Sequence, residues 1–195
     1  MASSDNSAGG GRTFMRTSAG AVHKAPPLAM GARLGPWAVE APIASGGMGQ
    51  VYRARRADGV YDQAVALKLI HDNDPVRVDR FGAERQRLAE MDHPGIARII
   101  DGGTHEDGRP WMAMELVEGA PIMPQAEALP RKDRLQLFIA LCAAVSHAHG
   151  RLVLHRDLKS QNVLLDTGGA VRLIDFGIAS LAEGEAAPSG SFTAA

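Results

Sequence analysis

The stretch IASGGMGQVY, residues 43–52, places three glycines within four positions, between two segments that both have the composition of β-strands. Such loops often bind phosphate, but the familiar versions differ in the segment after the glycines. A dinucleotide-binding fingerprint needs a helix at once, and a Walker loop ends in Gly-Lys-Ser/Thr. Here the strand-like segment VYRARR comes next instead. The sequence therefore predicts that this loop is the tip of a β-hairpin, which excludes both of those folds.

The segments around this hairpin predict a small, β-rich lobe over residues 34–118. Strand-like patterns cover WAVEAPIA before the loop, then VYRARR, AVALKLI, IARIID and PWMAMELV. Within AVALKLI, the apolar residues Val65, Leu67 and Leu69 fall on one face. Apolar residues recur at helical spacing over residues 75–92, and the following His-Pro-Gly ends that helix. Five strands and one helix are expected.

A change of pattern after Gly119 predicts a second, helical lobe over residues 119–195. Its long helix, residues 130–149, has two apolar stripes, formed by Leu135, Phe138, Ile139, Cys142 and Val145, and by Leu137, Leu141 and Ala144. A helix that is apolar on two faces is buried on most sides. Cys142, the single cysteine, is therefore predicted to be a buried thiol. Without a disulfide framework, we expect a cytoplasmic protein.

Composition excludes several classes of partner. A net charge of −1 and a pI of about 6.7 provide no basic surface for nucleic acid or an anionic membrane. The longest apolar stretch, about residues 135–145, is shorter than the roughly 18 residues of a membrane span. Residues 1–33 are rich in Ser, Gly, Ala and Pro, which predicts a disordered tail. A mitochondrial-type transit peptide, with Arg12, Arg16 and Lys24, is the alternative for that tail.

The most specific motif is HRDLKSQN, residues 155–162, which a predicted hairpin, VLLDTGGAVRLI, connects to IDFG. Taken singly, such pieces have structural explanations, since Asp-Phe-Gly is commonly a turn and Asp157 could cap a helix. Their order is more informative: glycine loop, lysine-bearing strand, acidic helix, MELV, HRDLKSQN and IDFG. On these residues the sequence resembles the protein kinase family, its bacterial serine/threonine branch in particular, over about residues 34–180. The resemblance implies an α+β, two-lobed, protein-kinase-like fold with a complete β-rich small lobe and an incomplete helical large lobe.

The resemblance also implies a reaction, the transfer of the γ-phosphoryl group of ATP to serine or threonine hydroxyls of protein substrates. Asp157 would accept the hydroxyl proton, and Lys159 would place a cation at the transferring phosphate. Asn162 and Asp175 would hold Mg²⁺, which prefers hard oxygen ligands. Lys159 further indicates serine/threonine rather than tyrosine specificity.

The nucleotide would bind to the small lobe and the segment after it. Lys68, at the end of VALK, matches the phosphate-binding lysine of the family; its expected partner is Glu84 on the first helix, with Glu90 as the alternative. The segment MELV resembles the hinge that reads adenine. The implied nucleotide-binding residues are Ile43, Ala44, Ser45, Gly46, Gly47, Met48, Gly49, Val51, Ala66, Lys68, Met114, Glu115, Val117 and Leu164. Ala44 replaces the first loop glycine of the family, which allows a weaker grip on ATP but does not imply its loss.

Two features after IDFG bear on regulation and on completeness. Arg156 resembles the arginine of kinases that are switched on by phosphorylation, and Ser191 and Thr193 are candidate sites. The A-P-E segment and the later helices of the family are absent from the sequence after this point, so the expectation is a chain truncated within its activation segment. A catalytically impaired nucleotide-binding or interaction module is therefore the alternative to an active kinase.

Overall fold

The computed structural model describes residues 26–176, apart from residue 48 and residues 72–74. Within this range, a six-stranded sheet with one helix forms a first lobe, and a three-stranded sheet with two helices belongs to a second lobe. The strands are β1 Arg33–Leu34, β2 Trp37–Gly46, β3 Gly49–Arg56, β4 Ala64–Ile70, β5 Ile99–Thr104, β6 Pro110–Glu115, β7 Gly119–Pro121, β8 Val163–Asp166 and β9 Val171–Leu173. The helices are α1 Pro75–Ala89, α2 Ile122–Glu127 and α3 Arg131–His149, and a 3₁₀ turn, Ser160–Asn162, precedes β8.

The larger sheet has the strand order β1-β2-β3-β4-β6-β5, and all of its pairs are antiparallel. Its middle strand, β4, is buried on both faces. Val65, Leu67 and Leu69 are fully buried on the outer face, as the alternation of the sequence predicts. Lys68 and Ile70 belong to the inner face and are also buried. A buried lysine on a central strand therefore marks the inner face as the functional one.

The inner face of the sheet shares one hydrophobic core with the second lobe. This cluster includes Phe81 of α1, Met112 of β6 and Leu173 of β9. Backbone hydrogen bonds connect the lobes at the same place, because the N–H of Leu173 donates to the carbonyl of Gly95 (2.7 Å) and the N–H of Ala97 donates to the carbonyl of Leu173 (3.0 Å). The loop after α1 is thus fixed to the second lobe.

The outer face has its own cluster, built around Trp37, Trp111 and Leu67. Trp37 is completely buried, and its indole N–H donates to the Asp101 carboxylate at 2.9 Å. Such a partner is what a buried tryptophan needs, because its ring is apolar but its nitrogen is not. The outer face is therefore a second hydrophobic core, and another segment must shield it from solvent.

Residues 26–34, which we refer to as the N-terminal strap, provide that cover. Leu28 and Ala32 pack against the outer cluster, and the N–H of Gly31 donates to the carbonyl of Val39 at 2.8 Å. The predicted boundary of a disordered tail at residue 33 is therefore wrong for residues 26–33. The apolar residues of the strap are too few and too irregular to indicate an ordered segment from the sequence. Its order depends on contacts with strands that are distant in sequence. The remainder of the predicted tail, residues 1–25, lies outside the described residues.

Helix α3 packs through one of its two apolar stripes. Of this stripe, Leu137 and Leu141 lie against the inner cluster and Ala144 is buried. Val145, the last residue of the other stripe, also lies against the cluster, and Ala148 is buried. Among the described residues, no helix is both long and apolar enough to cross a membrane.

The other stripe of α3 is exposed over residues 135–142. Leu135, Phe138 and Ile139 have between 57% and 61% of their surface accessible, and Cys142 is also exposed. The predictions that this helix is buried on most sides and that Cys142 is a buried thiol are therefore wrong for the described structure. The reason is geometric: the inner cluster, to which β9 contributes, lies on one side of α3.

Candidate active site

A cleft of about 390 Å³ lies between the six-stranded sheet and the second lobe. Its walls come from the glycine-rich hairpin, β4, the segment between the lobes, and the β8 and β9 region. The lining residues are Ile43, Ala44, Val51, Ala66, Met114, Glu115, Leu116, Val117, Gly119, Gln161, Asn162, Leu164, Ile174 and Asp175. A mostly apolar cleft with a few polar groups is typical of a site for a small cofactor.

Most of the predicted nucleotide-binding residues meet in this cleft, together with both predicted metal ligands. Four further lining residues were not predicted: Leu116, Gly119, Gln161 and Ile174. Each is close in sequence to a predicted residue. Ile174, for example, directly precedes Asp175. All four lie within two residues of a predicted residue, so the motifs indicate the segments that carry them.

The glycine-rich segment is the turn of the β2–β3 hairpin, as predicted. Gly46 pairs with Gly49 across the hairpin, and the segment from Ser45 to Gly47 is exposed. Met48 lies outside the described residues. Strand β3 begins directly after the turn, so the loop presents its backbone at the end of a hairpin.

The glycines of this turn differ in whether the structure leaves room for a side chain. A Cβ atom on Gly49 would lie 2.4 Å from the carbonyl oxygen of Leu69 in β4. On Gly46 or Gly47 it would meet nothing within 4 Å. Gly49 is therefore required for the close approach of β3 to β4. The other two glycines leave open space at the tip of the hairpin.

Gly49→Ala is expected to lower the free energy of unfolding by roughly 1–3 kcal/mol, because the atoms that the new methyl group meets are backbone atoms that cannot rotate away. Gly47→Ala, in the same turn, is the matched control and is expected to change stability little. Thermal unfolding of the two variants measures the difference. Equal melting temperatures would show that β3 and β4 adjust without cost.

Asp157, Lys159 and Asn162 form one hydrogen-bonded group in the loop between α3 and β8. The Lys159 ammonium donates to Oδ2 of Asp157 at 2.7 Å. The Asn162 amide nitrogen donates to the same oxygen at 3.0 Å and to the backbone carbonyl of Asp157 at 2.8 Å. The 3₁₀ turn positions Asn162, since its N–H donates to the Lys159 carbonyl at 2.9 Å. These bonds fix the orientation of the Asp157 carboxylate.

The hydrogen bond from Lys159 lowers the pKa of Asp157 below its ordinary value, and the bond from Asn162 acts in the same direction. Partial desolvation acts in the opposite direction but does not reverse the shift. Asp157 is therefore a carboxylate at neutral pH and stays ionised to a lower pH than an unperturbed aspartate. The ionised form is the one that accepts a proton.

His155 connects this loop to the segment that carries Asp175. It is buried, and its Nε2 lies 3.0 Å from the carbonyl oxygen of Ile174. Its ring contacts Phe176, with centroids 4.5 Å apart. Burial lowers the pKa of His155, so the ring is neutral at pH 7 and Nε2 carries the proton donated to Ile174. The N–H of Ile174 in turn donates to the carbonyl of Asn162 (2.9 Å), which holds the two segments together.

Lys68 is 3% exposed, and its ammonium forms an ion pair with the Asp175 carboxylate. Its expected partner, Glu84, lies instead 3.6 Å from Arg87 on the same helix. Glu90, the alternative, is exposed. Among the described residues, then, the charge of Lys68 is balanced by Asp175 and by no glutamate of α1. The assignment of Glu84 as the partner stays a prediction.

Two residues with unusual backbone conformations lie next to these side chains. Arg156 and Asp175 have φ angles of 60° and 58°, in the left-handed region that side chains other than those of Asn and Asp rarely adopt. Such conformations cost of order 1–3 kcal/mol and cluster at functional sites. The glycine after Phe176, Gly177, lies outside the described residues, as do Ser191 and Thr193.

The segment between the lobes has one backbone donor already in use. The N–H of Glu115 donates to the Arg98 carbonyl at 2.8 Å. Of the two backbone groups of Glu115, only the carbonyl is therefore left for a hydrogen bond with an adenine ring. The Glu115 carboxylate accepts a hydrogen bond from Arg172 of β9 at 2.6 Å, which ties this segment to the second lobe. Met114, directly before it, is buried against the inner cluster and also lines the cleft.

Comparison with known proteins agrees with this geometry. The family profile of the protein kinase domain matches residues 37–194. The chain is 38% identical over 164 residues to the DNA damage-responsive serine/threonine-protein kinase RqkA of Deinococcus radiodurans, with 80% of this chain and 24% of the relative covered. It is 37% identical over 144 residues to the serine/threonine-protein kinase PrkC of Bacillus subtilis, with 71% and 22% covered. The chain thus spans about a quarter of the length of these relatives.

A solved structure shows the same fold. The kinase domain of PknI from Mycobacterium tuberculosis is 30% identical in sequence and superposes with a TM-score of 0.66. The match covers 78% of this chain and 64% of that domain. The fold of this part of the chain is therefore shared with a known structure.

Proposed function

The chain belongs to the protein kinase family, in its bacterial serine/threonine branch, and from this premise we propose that it transfers the γ-phosphoryl group of ATP to serine and threonine hydroxyls of proteins. The reaction would use Mg²⁺ and take place in the cytoplasm. The observation that carries the proposal is that Asn162 and Asp175 line one cleft. Asn162 is hydrogen-bonded to Asp157, and Asp175 forms an ion pair with Lys68.

The reaction needs little covalent chemistry from the protein. The γ-phosphoryl group must pass in line to a hydroxyl while its negative charge is neutralised, so positioning and electrostatics dominate. Asp157 supplies an oriented carboxylate that accepts the proton of the hydroxyl. Lys159, bonded to that carboxylate, places a cation beside the acceptor. These roles match the hydrogen bonds of the loop and the lowered pKa of Asp157.

Asn162 and Asp175 fit a magnesium ion. Both line the cleft. The amide nitrogen of Asn162 is used by Asp157, which leaves the amide oxygen as the atom that a cation could bind. Oxygen donors of this kind, with waters and phosphates completing the set, are what Mg²⁺ prefers. When bound, the ion would neutralise charge on the phosphates.

The proposed activity divides into two measurable parts. Calorimetric titration of the protein with ATP, with and without Mg²⁺, tests nucleotide binding. Transfer of labelled phosphate to a generic basic protein, followed by phosphoamino-acid analysis, tests the reaction, and phosphoserine and phosphothreonine are expected. Predominant phosphotyrosine would refute the specificity inferred from Lys159. Binding of ATP without any transfer would favour the alternative, a nucleotide-binding module that does not catalyse the reaction.

Lys68→Met is expected to weaken binding of ATP with Mg²⁺ by roughly 10–100-fold, because a hydrogen bond to a charged group contributes about 1.5–3 kcal/mol. Methionine keeps much of the length of the side chain but removes the cation. The dissociation constant is measured by calorimetry.

Lys132→Met is the matched control, since Lys132 is an exposed residue in the first turn of α3. It should bind ATP as the parent does. An unchanged affinity in Lys68→Met would remove Lys68 from the phosphate site.

A further inference from the structure

A chain of three hydrogen-bonded residues lies behind the glycine-rich hairpin. The backbone N–H of Leu28, in the N-terminal strap, donates to the Tyr52 hydroxyl at 2.9 Å, and that hydroxyl donates to Oε1 of Gln50 at 2.5 Å. Tyr52 is 2% exposed and Gln50 is 5% exposed. Among the described residues, most of the other buried polar or charged side chains belong to the candidate active site, and Arg109 pairs with Asp107 in a turn. Gln50 is buried without either reason.

Strand alternation separates these residues from the nucleotide cleft. In β3, Gln50 and Tyr52 point to one face and Val51 points to the other. Val51 lines the cleft, whereas Gln50 and Tyr52 line a second cavity of about 470 Å³. Ile43 and Ala44 line both cavities. The end of β2 is therefore a thin wall between the cleft and the second cavity.

The pairing of β2 with β3 is irregular at this wall. The register shifts between Pro42 and Ala44, next to Tyr52, and the intervening Ile43 is 52% exposed. A bulge interrupts the ladder and lets the strand bend. Because a cavity lies on each side of the wall, few side chains fix its position, and the wall depends on its pairing with β3. The buried pair of Gln50 and Tyr52, anchored to Leu28, is that support.

We propose that Tyr52 and Gln50, held by the N-terminal strap, are positioning residues for the phosphate-binding loop. The inference rests on the proposed nucleotide site and adds to it a determinant of ATP affinity. These two residues touch no phosphate. They set how closely the wall formed by Ile43 and Ala44 covers the cleft, and through it how the exposed turn lies over the phosphates.

Tyr52→Phe tests this by removing one oxygen atom. The hydroxyl makes two hydrogen bonds, to Leu28 and Gln50, and both are lost. The affinity for ATP with Mg²⁺ is expected to fall by roughly 3–10-fold, which corresponds to about 0.6–1.4 kcal/mol. The affinity for adenosine is expected to fall less than the affinity for ATP, because adenosine has no phosphate for the turn to cover. Both dissociation constants are measured by calorimetry on the full chain. A merely structural role of Tyr52 would not distinguish the two ligands.

Tyr61→Phe is the matched control. The Tyr61 hydroxyl also has a partner, since it accepts a hydrogen bond from Arg56 at 2.8 Å, but it lies in the exposed segment between β3 and β4. Neither ligand should bind this variant more weakly. Gln50→Met removes the acceptor at the other end of the hydrogen bond while keeping the length of the side chain, and it replaces Tyr52→Phe if that variant does not fold.

The possible outcomes separate the two proposals. An equal loss of affinity for ATP and adenosine in Tyr52→Phe or Gln50→Met would overturn the positioning role, and so would an unchanged affinity for ATP. Either result would leave the nucleotide site intact. A parent protein that binds neither ligand would overturn the nucleotide site and the positioning role together.

Discussion

Asp157→Asn is expected to lower the rate of phosphoryl transfer by roughly 10²–10⁴-fold, the usual cost of losing a general base. The structure explains why the loss should be specific. The Asp157 carboxylate is oriented by Lys159 and Asn162, which themselves stay in place. Asparagine has nearly the same shape but cannot accept the hydroxyl proton. Binding of ATP should change little, because Asp157 is not among the residues that line the cleft.

The measurement is the rate of transfer at saturating ATP, together with the dissociation constant of ATP with Mg²⁺. Asp62→Asn is the matched control. It makes the same chemical change at an exposed aspartate that pairs with Arg55. Its rate should equal that of the parent. A rate for Asp157→Asn within a few-fold of the parent would mean that another group accepts the proton.

The central strands of the first sheet could be predicted because their sequence carries the information locally. In β4, alternation places Val65, Leu67 and Leu69 on one buried face, and the observed strand has the predicted bounds, residues 64–70. Much of the lining of the cleft was indicated in a different way, through the resemblance of its motifs to those of the protein kinase family. Its lining comes from motifs that are contiguous in sequence, such as the segment from Met114 to Val117.

The N-terminal strap could not be predicted, because its order comes from distant partners. Its apolar residues, Leu28 and Ala32, are few and irregular in spacing, and their packing against the outer cluster depends on Trp37 and Tyr52 being in place. Two very short strands, β1 and β7, were also missed. Neither has enough residues to show a period of two.

The pairing of Lys68 shows a different limit. The sequence predicts that a glutamate of α1, Glu84 or Glu90, pairs with the lysine on the inner face of β4. Which of them pairs depends on how α1 lies against the sheet. In the structure Asp175 pairs with Lys68, and Glu84 pairs with Arg87. The sequence pattern identifies the glutamates of the helix, but it does not fix how that helix lies against the sheet, and it does not indicate Asp175 as the partner of Lys68.

Loss of the Asp175 carboxylate is expected to abolish the magnesium dependence of ATP binding and to lower the affinity for ATP with Mg²⁺ by at least ~100-fold, since the loss of a mere supporting group already costs 10–100-fold in metal affinity. Two variants are needed. Asp175→Ala removes the ligand but places alanine at a φ of 58°, which adds strain. Asp175→Asn tolerates that backbone conformation and removes only the charge. A loss of binding that is common to both is due to the carboxylate and not to strain.

Removing Asp175 also leaves the buried ammonium of Lys68 without its partner, which by itself destabilises a protein. The double variant Lys68→Met/Asp175→Asn separates this effect from metal binding, because it removes both charges of the pair. It should melt closer to the parent than Asp175→Asn does, yet its titrations with ATP should be the same in Mg²⁺ and in a chelator. If the double variant regained a magnesium-dependent affinity, the carboxylate of Asp175 would be a structural partner of Lys68 and not a ligand of the metal.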